Sequence, residues 1–409
     1  MASTLARHQP EAISHRVPQL TAMASDRVVS GSPLRLGMVA GEASGDLLAS
    51  QLLQGLMTHW PGLSARGIGG PRMTALGFDA WWPADKLSFF GYADVLRHLP
   101  ELLGIRKRLG ERLIAERPDV FVGVDAPDFN FGLEKRLRAA GIKTVHFVCP
   151  SIWAWRGERI KTLAEAADHV LCLFPFEPEL LRRHGIGATF VGHPLAQMIP
   201  FEPPRAAARA ALGLPDNAQV IALLPGSRNS EVALIGPRLL AAAMLLHRRR
   251  PGLRFVLPVA PGMRTLLEPL LTRHAPGVAI EILPGRSHEA LAACDVTLVA
   301  SGTATLEAAL YKRPMVITYV VSWFNALRMR RMRYQPWVGL PNVLCQDFVV
   351  PELLQEGATP EALAREALAW LDDPGRCERL AHRFQELHHL LHRDTVRESA
   401  DAIAQVLQA

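Results

Sequence analysis

Ser301, Gly302 and Thr303 stand between a short apolar strand and a helix that carries Glu307 in its first turns, within LVASGTATLE at 298–307. A strand-to-helix loop of small residues leaves backbone N–H groups unpaired at the positive end of the helix dipole, so a diphosphate is its natural guest. A carboxylate one turn further on can accept hydrogen bonds from the two hydroxyls of a ribose, as acidic residues do in dinucleotide-binding folds. Together these features suggest a nucleotide-diphosphate donor. The plain alternative is an ordinary strand–helix turn with Glu307 satisfied on the helix face. A second loop, PGSRNSE at 225–231, follows the buried-type strand at 220–224. Gly226, with Ser227 beside it, lets the backbone approach a ligand closely, and Arg228 offers a planar fork that matches a phosphate.

Two further loops carry carboxylates. GEASGD at 41–46 follows the first strand. Its glycines allow a tight turn, and Ser44 or Asp46 could cap the next helix or hold the phosphate or hydroxyls of an acceptor. Glu42 and Asp46 would oppose a phosphate close by. In VDAPDFN at 124–130, Asp125 and Asp128 flank Pro127, which fixes the turn at a strand end. A carboxylate there can take a proton from an attacking hydroxyl, or it can close an Asx-type turn. Trp153 and Trp155, followed by Arg156, suit either a cleft wall for sugar or acyl chain or core packing. His146 reads as a packed strand histidine. His193, just before a proline-dense stretch, fits a cleft wall or a turn equally.

Two segments look sticky. Residues 87–109 contain Phe89 and Phe90 and then a series of leucines interleaved with basic residues. Arg328, Arg330, Arg331 and Arg333 fall within six residues, beside Trp323, Phe324, Met329 and Met332. That pattern resembles an interfacial segment on an anionic membrane surface, against the plainer reading of a solvated basic helix face.

These residues need a scaffold. From Leu34 onward, short apolar runs alternate with helical-period segments, which implies parallel sheets covered on both faces. Strands are expected at 36–40, 120–124, 143–148, 169–173 and 189–191, and a helix near Asp46–Thr58. The proline-dense stretch 200–205 reads as a linker. A second series follows at 220–224, 254–259, 279–283, 296–299 and 315–319, and 360–407 is helical with a break near 372–375. The simplest architecture is two doubly wound domains facing a cleft, with ligands at the C-terminal ends of the strands. The expected boundaries are 34–200 for acceptor binding, 206–372 for the nucleotide donor, and 373–409 for C-terminal helices packing back toward the first domain. Residues 1–33 read as a poorly ordered extension, with Met23 an alternative start.

Composition narrows the function. The 409 residues are 49% hydrophobic and carry a formal charge of +6, enough to bury two cores behind a basic surface. No zinc-finger spacing or RNA-binding aromatic signature accompanies that charge, so phosphorylated ligands or anionic lipid are favoured over nucleic acid. Five scattered cysteines without a CxxC pair argue against a disulfide framework or structural zinc, and for a reducing compartment. No run of about 18–20 uncharged apolar residues is present to span a membrane.

Taken in order, GEASGD (41–46), GGPRM (69–73), RPDVFVGVDAPDFN (117–130), PSIWAWR (150–156), VGHP (191–194), LLPGSR (223–228), SGTATLE (301–307) and LPN (340–342) resemble the lipid-A-disaccharide synthases, inverting glycosyltransferases of the GT-B fold. The resemblance implies transfer of a sugar from UDP-2,3-diacylglucosamine to 2,3-diacylglucosamine 1-phosphate (lipid X). UDP leaves, and a β-1′,6-linked disaccharide 1-phosphate remains. It implies Asp125 as the base, with Glu42 and Asp128 as alternatives. Arg228 and the amides at Ser301–Thr303 would stabilise the leaving diphosphate, Glu307 would hold the ribose, and Asn342 would contact the UDP. It implies no metal and no cofactor, and a cytoplasmic enzyme resting peripherally on the inner membrane, with a homodimer left open. Related readings are a GT-B transferase that adds GlcNAc to another lipid acceptor, a UDP-GlcNAc 2-epimerase, and a non-catalytic nucleotide-sugar binding module.

Overall fold

The computed structural model describes residues 33–87, 92–154, 157–322 and 335–409. Two parallel sheets dominate. The first contains β1 (Arg35–Ala40), β2 (Ser64–Gly69), β3 (Asp79–Pro83), β4 (Val120–Val124), β5 (Lys143–Phe147), β6 (His169–Cys172) and β7 (Gly187–Phe190). Its spatial order is β3-β2-β1-β4-β5-β6-β7. The second contains β8 (Val220–Leu224), β9 (Arg254–Val259), β10 (Ile280–Pro284), β11 (Val296–Ala300), β12 (Met315–Tyr319) and β13 (Glu352–Leu354). Its order is β10-β9-β8-β11-β12-β13. In each sheet the strand order reverses direction once, between β1 and β4 and between β8 and β11. Loops at the C-terminal ends of those strands therefore diverge and leave a crevice.

The sequence explains why the sheets are parallel. β4, β8 and β11 are buried along their whole length, as strands covered by helices on both faces must be. One helix layer of the first sheet packs through Leu52, Leu53 and Leu56, the other through Ile105, Leu109 and Leu113. The second sheet is covered in part by the helix Asn229–Arg249, long and apolar enough to cross a membrane by composition. Its Leu239, Leu240, Ala243 and Leu246 are buried in the core.

Three strands escape the sequence reading. β2 reads SARGIG, without an apolar run, and Gly67 adopts φ +142 where a Cβ would lie 2.1 Å from the Met38 carbonyl oxygen. β3 and β13 are sheet edges of five and three residues. The first helix also differs from expectation. It runs Glu42–His59, so the glycine-containing loop expected before it is the helix's own first turn.

Candidate active site

Strand register brings the loops together. Ala40 pairs with Val124 across β1 and β4, which sets Gly41 level with Asp125 at the first switch point. Val299 pairs with Leu224 across β11 and β8, which sets the 225–228 loop beside Ser301. Two adjoining cavities open at these ends. One, of about 650 Å³, is lined by Gly226, Ser227, Arg228, Ser287 and Glu307 among others. The second, of about 590 Å³, is largely apolar and is lined by Ser44, Asp125, Trp153, Phe174, His193 and Trp337 among others. Ser301, Gly302, Thr303 and Glu307 line both.

The first cavity offers anion-binding groups. Gly302 (φ +153) turns the chain into the helix Thr303–Leu310, whose start has no side-chain cap, so its leading amides lack intrahelical acceptors. Ser301 differs from expectation: its N–H donates to the Thr318 carbonyl (2.9 Å) and its hydroxyl to the Val338 carbonyl (3.0 Å). The sheet thus claims the Ser301 amide, and Gly302 and Thr303 head the helix. In the facing loop, Arg228 Nη1 donates to Glu231 Oε1 (3.0 Å), and Glu231 Oε2 accepts from the Ser227 N–H (3.1 Å). Glu231, three residues beyond Arg228, closes the start of its helix as capping-box carboxylates do. Its spacing from Arg228 is the signal by which this role is legible in the sequence. His288 Nε2 lies 3.7 Å from Glu307 Oε1, and this carboxylate lifts the His288 imidazole above its ordinary value.

The carboxylates expected at the second cavity separate by position. Asp125 lines it. Its φ of +49 and that of Ala126 at +42 make a left-handed turn into the helix Pro127–Ala139. Asp128 is 84% exposed and is bonded by Arg159 Nη2 at 2.5 Å. Glu42 is exposed and also left-handed, with φ +53. Neither is among the lining residues.

Two expected ligand contacts are committed to the fold instead. Asp46 is buried: Oδ1 accepts from the Gly70 N–H (3.0 Å) and the Met73 N–H (3.2 Å), and Oδ2 from the Arg72 N–H (3.0 Å). It caps the short helix Pro71–Ala75. A Cβ at Gly70 would lie 2.4 Å from its carboxyl carbon, so GEASGD and GGPRM form one clasp. Asn342 is fully buried; Nδ2 donates to the Val350 carbonyl and to Glu352 Oε1, each at 2.9 Å, and Oδ1 accepts from the Val350 N–H. It ties the helix Leu340–Cys345 to the segment entering β13 and reaches neither cavity.

The aromatic wall is built from Trp153, which stands edge-on to Phe174 and Phe176. Its Nε1 donates to Glu177 Oε1 (3.1 Å), whose other oxygen accepts from the Phe174 N–H. Burial pushes the Glu177 carboxyl up to about 8. Phe174 and Glu177 are not among the residues singled out from the sequence. His193 caps the helix Pro194–Met198 and also lines the cavity, so both readings of it hold. His146 is fully buried on β5, a packed strand histidine as expected. Phe89, Phe90, Trp155, Arg156, Arg328, Arg330, Arg331 and Arg333 lie outside the described residues.

Two facing Rossmann-like sheets, with phosphate-loop geometry on one side of the crevice and a candidate base on the other, define the GT-B class. Its fold likeness is broad. A putative UDP-N-acetylglucosamine 2-epimerase from Listeria monocytogenes superposes with a TM-score of 0.64 at 12% identity, over 92% of this chain and 96% of that one. The UDP-GlcNAc 2-epimerase from Neisseria meningitidis, bound to UDP-GlcNAc, gives 0.63 at 11% identity, over 92% and 100%. Sequence is more selective. Lipid-A-disaccharide synthases from Albidiferax ferrireducens and Burkholderia thailandensis are each 56% identical over 380 residues, covering 92% of this chain and 98% of theirs. The family described as lipid-A-disaccharide synthetase matches residues 36–407. The chain belongs to this family of glycosyltransferases.

Proposed function

We propose that the protein transfers 2,3-diacylglucosamine from UDP to the 6-hydroxyl of 2,3-diacylglucosamine 1-phosphate, releasing UDP and forming the β-1′,6-linked disaccharide 1-phosphate. The observation that carries this reading is the shared wall: a cavity with phosphate-binding loops and a largely apolar cavity holding Asp125 meet at Ser301–Thr303 and Glu307. The diphosphate sits against Arg228, the Gly226 backbone and the amides of Gly302–Thr303. The ribose hydroxyls donate to Glu307. The sugar then lies at the junction, where an acceptor hydroxyl entering from the apolar side meets its anomeric carbon.

Asp125 takes the proton from that hydroxyl as the new C–O bond forms and the bond to the diphosphate breaks. A single in-line displacement inverts the anomeric centre. Arg228 and the helix-start amides stabilise the charge that develops on the departing UDP. Glu42, in the turn that follows β1, and Asp128, on the helix after Asp125, are the alternative bases. Trp153 and Phe174 give the acyl chains a surface. Leu99 and Leu103, one turn apart and exposed on the helix Tyr92–Glu116 beside exposed Lys107 and Arg108, favour peripheral contact with the cytoplasmic face of an anionic membrane.

The test is a product assay with purified protein, UDP-2,3-diacylglucosamine and the 1-phosphate acceptor, with and without EDTA. The expected result is disaccharide phosphate plus UDP in both. UDP binding without disaccharide would redirect the reading to another acceptor. Activity lost only with EDTA would overturn the account of leaving-group stabilisation.

A further inference from the structure

Directly beneath Asp125 lies a buried polar cluster that neither cavity uses. Asn130 and Glu134 are one turn apart on the helix Pro127–Ala139, His146 faces them from β5, and all three are fully buried. His146 Nδ1 and Glu134 Oε1 are 2.7 Å apart. Asn130 Nδ2 donates to the Asp125 carbonyl at 2.8 Å and lies 3.4 Å from the Val124 carbonyl. Gly123 makes the space, since a Cβ there would lie 2.1 Å from Glu134 Oε1 and 3.1 Å from the Asn130 side-chain carbonyl carbon. Asn130 Oδ1, Glu134 Oε2 and His146 Nε2 are buried without a partner.

Such a cluster is a poor way to stabilise a core. Replacing a buried carboxylate–imidazole pair by apolar residues of like volume often leaves stability unchanged or raised, and each orphaned polar atom adds a desolvation cost. What the cluster adjoins is the left-handed turn at Asp125 and Ala126. A left-handed alanine costs about 1–3 kcal/mol and persists only where its surroundings over-determine it. Here both backbone polar groups of Asp125 are gripped. Its N–H donates to the Phe147 carbonyl at the end of β5 (2.9 Å), and its carbonyl accepts from Asn130. The Glu134–His146 contact ties that same helix to that same strand.

We propose that Asn130 is a positioning residue for the transfer reaction: with the Glu134–His146 tie, it holds the strained turn that aims the Asp125 carboxylate at the acceptor hydroxyl. This rests on Asp125 being the base. The test compares Asn130→Ala and Asp125→Asn, singly and combined, by kcat, KM for each substrate, UDP affinity and thermal midpoint. The expected result for Asn130→Ala is a kcat loss of about 100-fold, the size a misplacement of about 1 Å can cause, with donor KM and UDP affinity unchanged. In the Asp125→Asn background, Asn130→Ala should cost nothing further.

A kcat near wild type in Asn130→Ala overturns the proposal. So does an equal loss in both backgrounds, or a loss that follows UDP affinity. If Asp125→Asn itself stays active, the base assignment fails and the positioning role falls with it. If Asp125→Asn is inactive while Asn130→Ala is not, the positioning role alone fails. Should Asn130→Ala not fold, Asn130→Leu keeps close to the outline, removes the donor and is read by the same criteria.

Discussion

At the scale of single residues, the site divides into groups that meet ligand and groups that hold those groups, and substitutions separate them. Asp125 lines the apolar cavity and is not among the residues lining the cavity that holds Arg228. Asp125→Ala should therefore lower kcat by roughly 10²–10⁴, the usual weight of a general base, while UDP affinity measured by calorimetry stays unchanged. Loss of UDP binding would move Asp125 to the donor site or to the fold. Arg228 makes the opposite case. Its guanidinium is 75% exposed and is oriented by Glu231, so its positive charge alone does not fix its role. Arg228→Lys keeps the charge and removes the planar fork. UDP affinity should weaken about tenfold, equivalent to about 1.4 kcal/mol. An unchanged affinity would mean that charge alone serves, without a bidentate contact.

Elements explain what sequence could and could not reveal. Strands such as 220–224 and 296–299 were legible because a strand buried on both faces must be apolar throughout. β2 was not, because its place depends on Gly67 pairing with Met38 at a positive φ where no Cβ fits, a tertiary constraint invisible in SARGIG. The loops were legible as glycine- and serine-rich strand ends. The distinct duties of Asp46 and Asp125 were not, since both are acids after a first-sheet strand. Only the fold turns one toward the amides of Gly70–Met73 and the other toward the cleft. His193 shows an element's own chemistry. It caps the helix Pro194–Met198 through Nδ1, which accepts from the Leu195 N–H at 3.2 Å, and burial pulls its imidazole down to about 4. The unfolded chain binds this proton near pH 6.5, and the folded chain refuses it until about pH 4. Stability from this group is whole above pH 6.5 and is lost as pH falls toward 4, by about 3 kcal/mol if the shift is fully expressed. His193→Asn retains a capping acceptor without the titration. Its thermal midpoint should fall less steeply than the wild type's between pH 6.5 and 4, and parallel curves would remove His193 from the account.

For the whole molecule, the last helix closes on the first described one. The last helix, Thr395–Gln408, packs Ala400, Ile403 and Val406 against Leu52, Leu53 and Leu56 of the helix Glu42–His59, whose first turn lies at the mouth of the site. Gly55 sits in the middle of that 18-residue helix, where alanine would ordinarily be better by about 1 kcal/mol. A Cβ at Gly55 would lie 1.9 Å from Val396 Cγ1 and 3.1 Å from Val396 Cβ. The closer contact involves a β-branched side chain with little freedom to turn aside, so the last helix would have to retreat as a body. Overpacking of this kind costs about 1–3 kcal/mol, which outweighs the gain in propensity. Gly55→Ala should therefore destabilise the protein in chemical denaturation. Val396→Ala, which removes the obstructing methyls, should restore most of that loss in the double variant. Two destabilisations that simply add would mean that the two residues do not meet, and a more stable Gly55→Ala would mean that the last helix yields freely. Recovery would establish that residues separated by most of the chain share one joint, and that the glycine is required by the helix that returns to it.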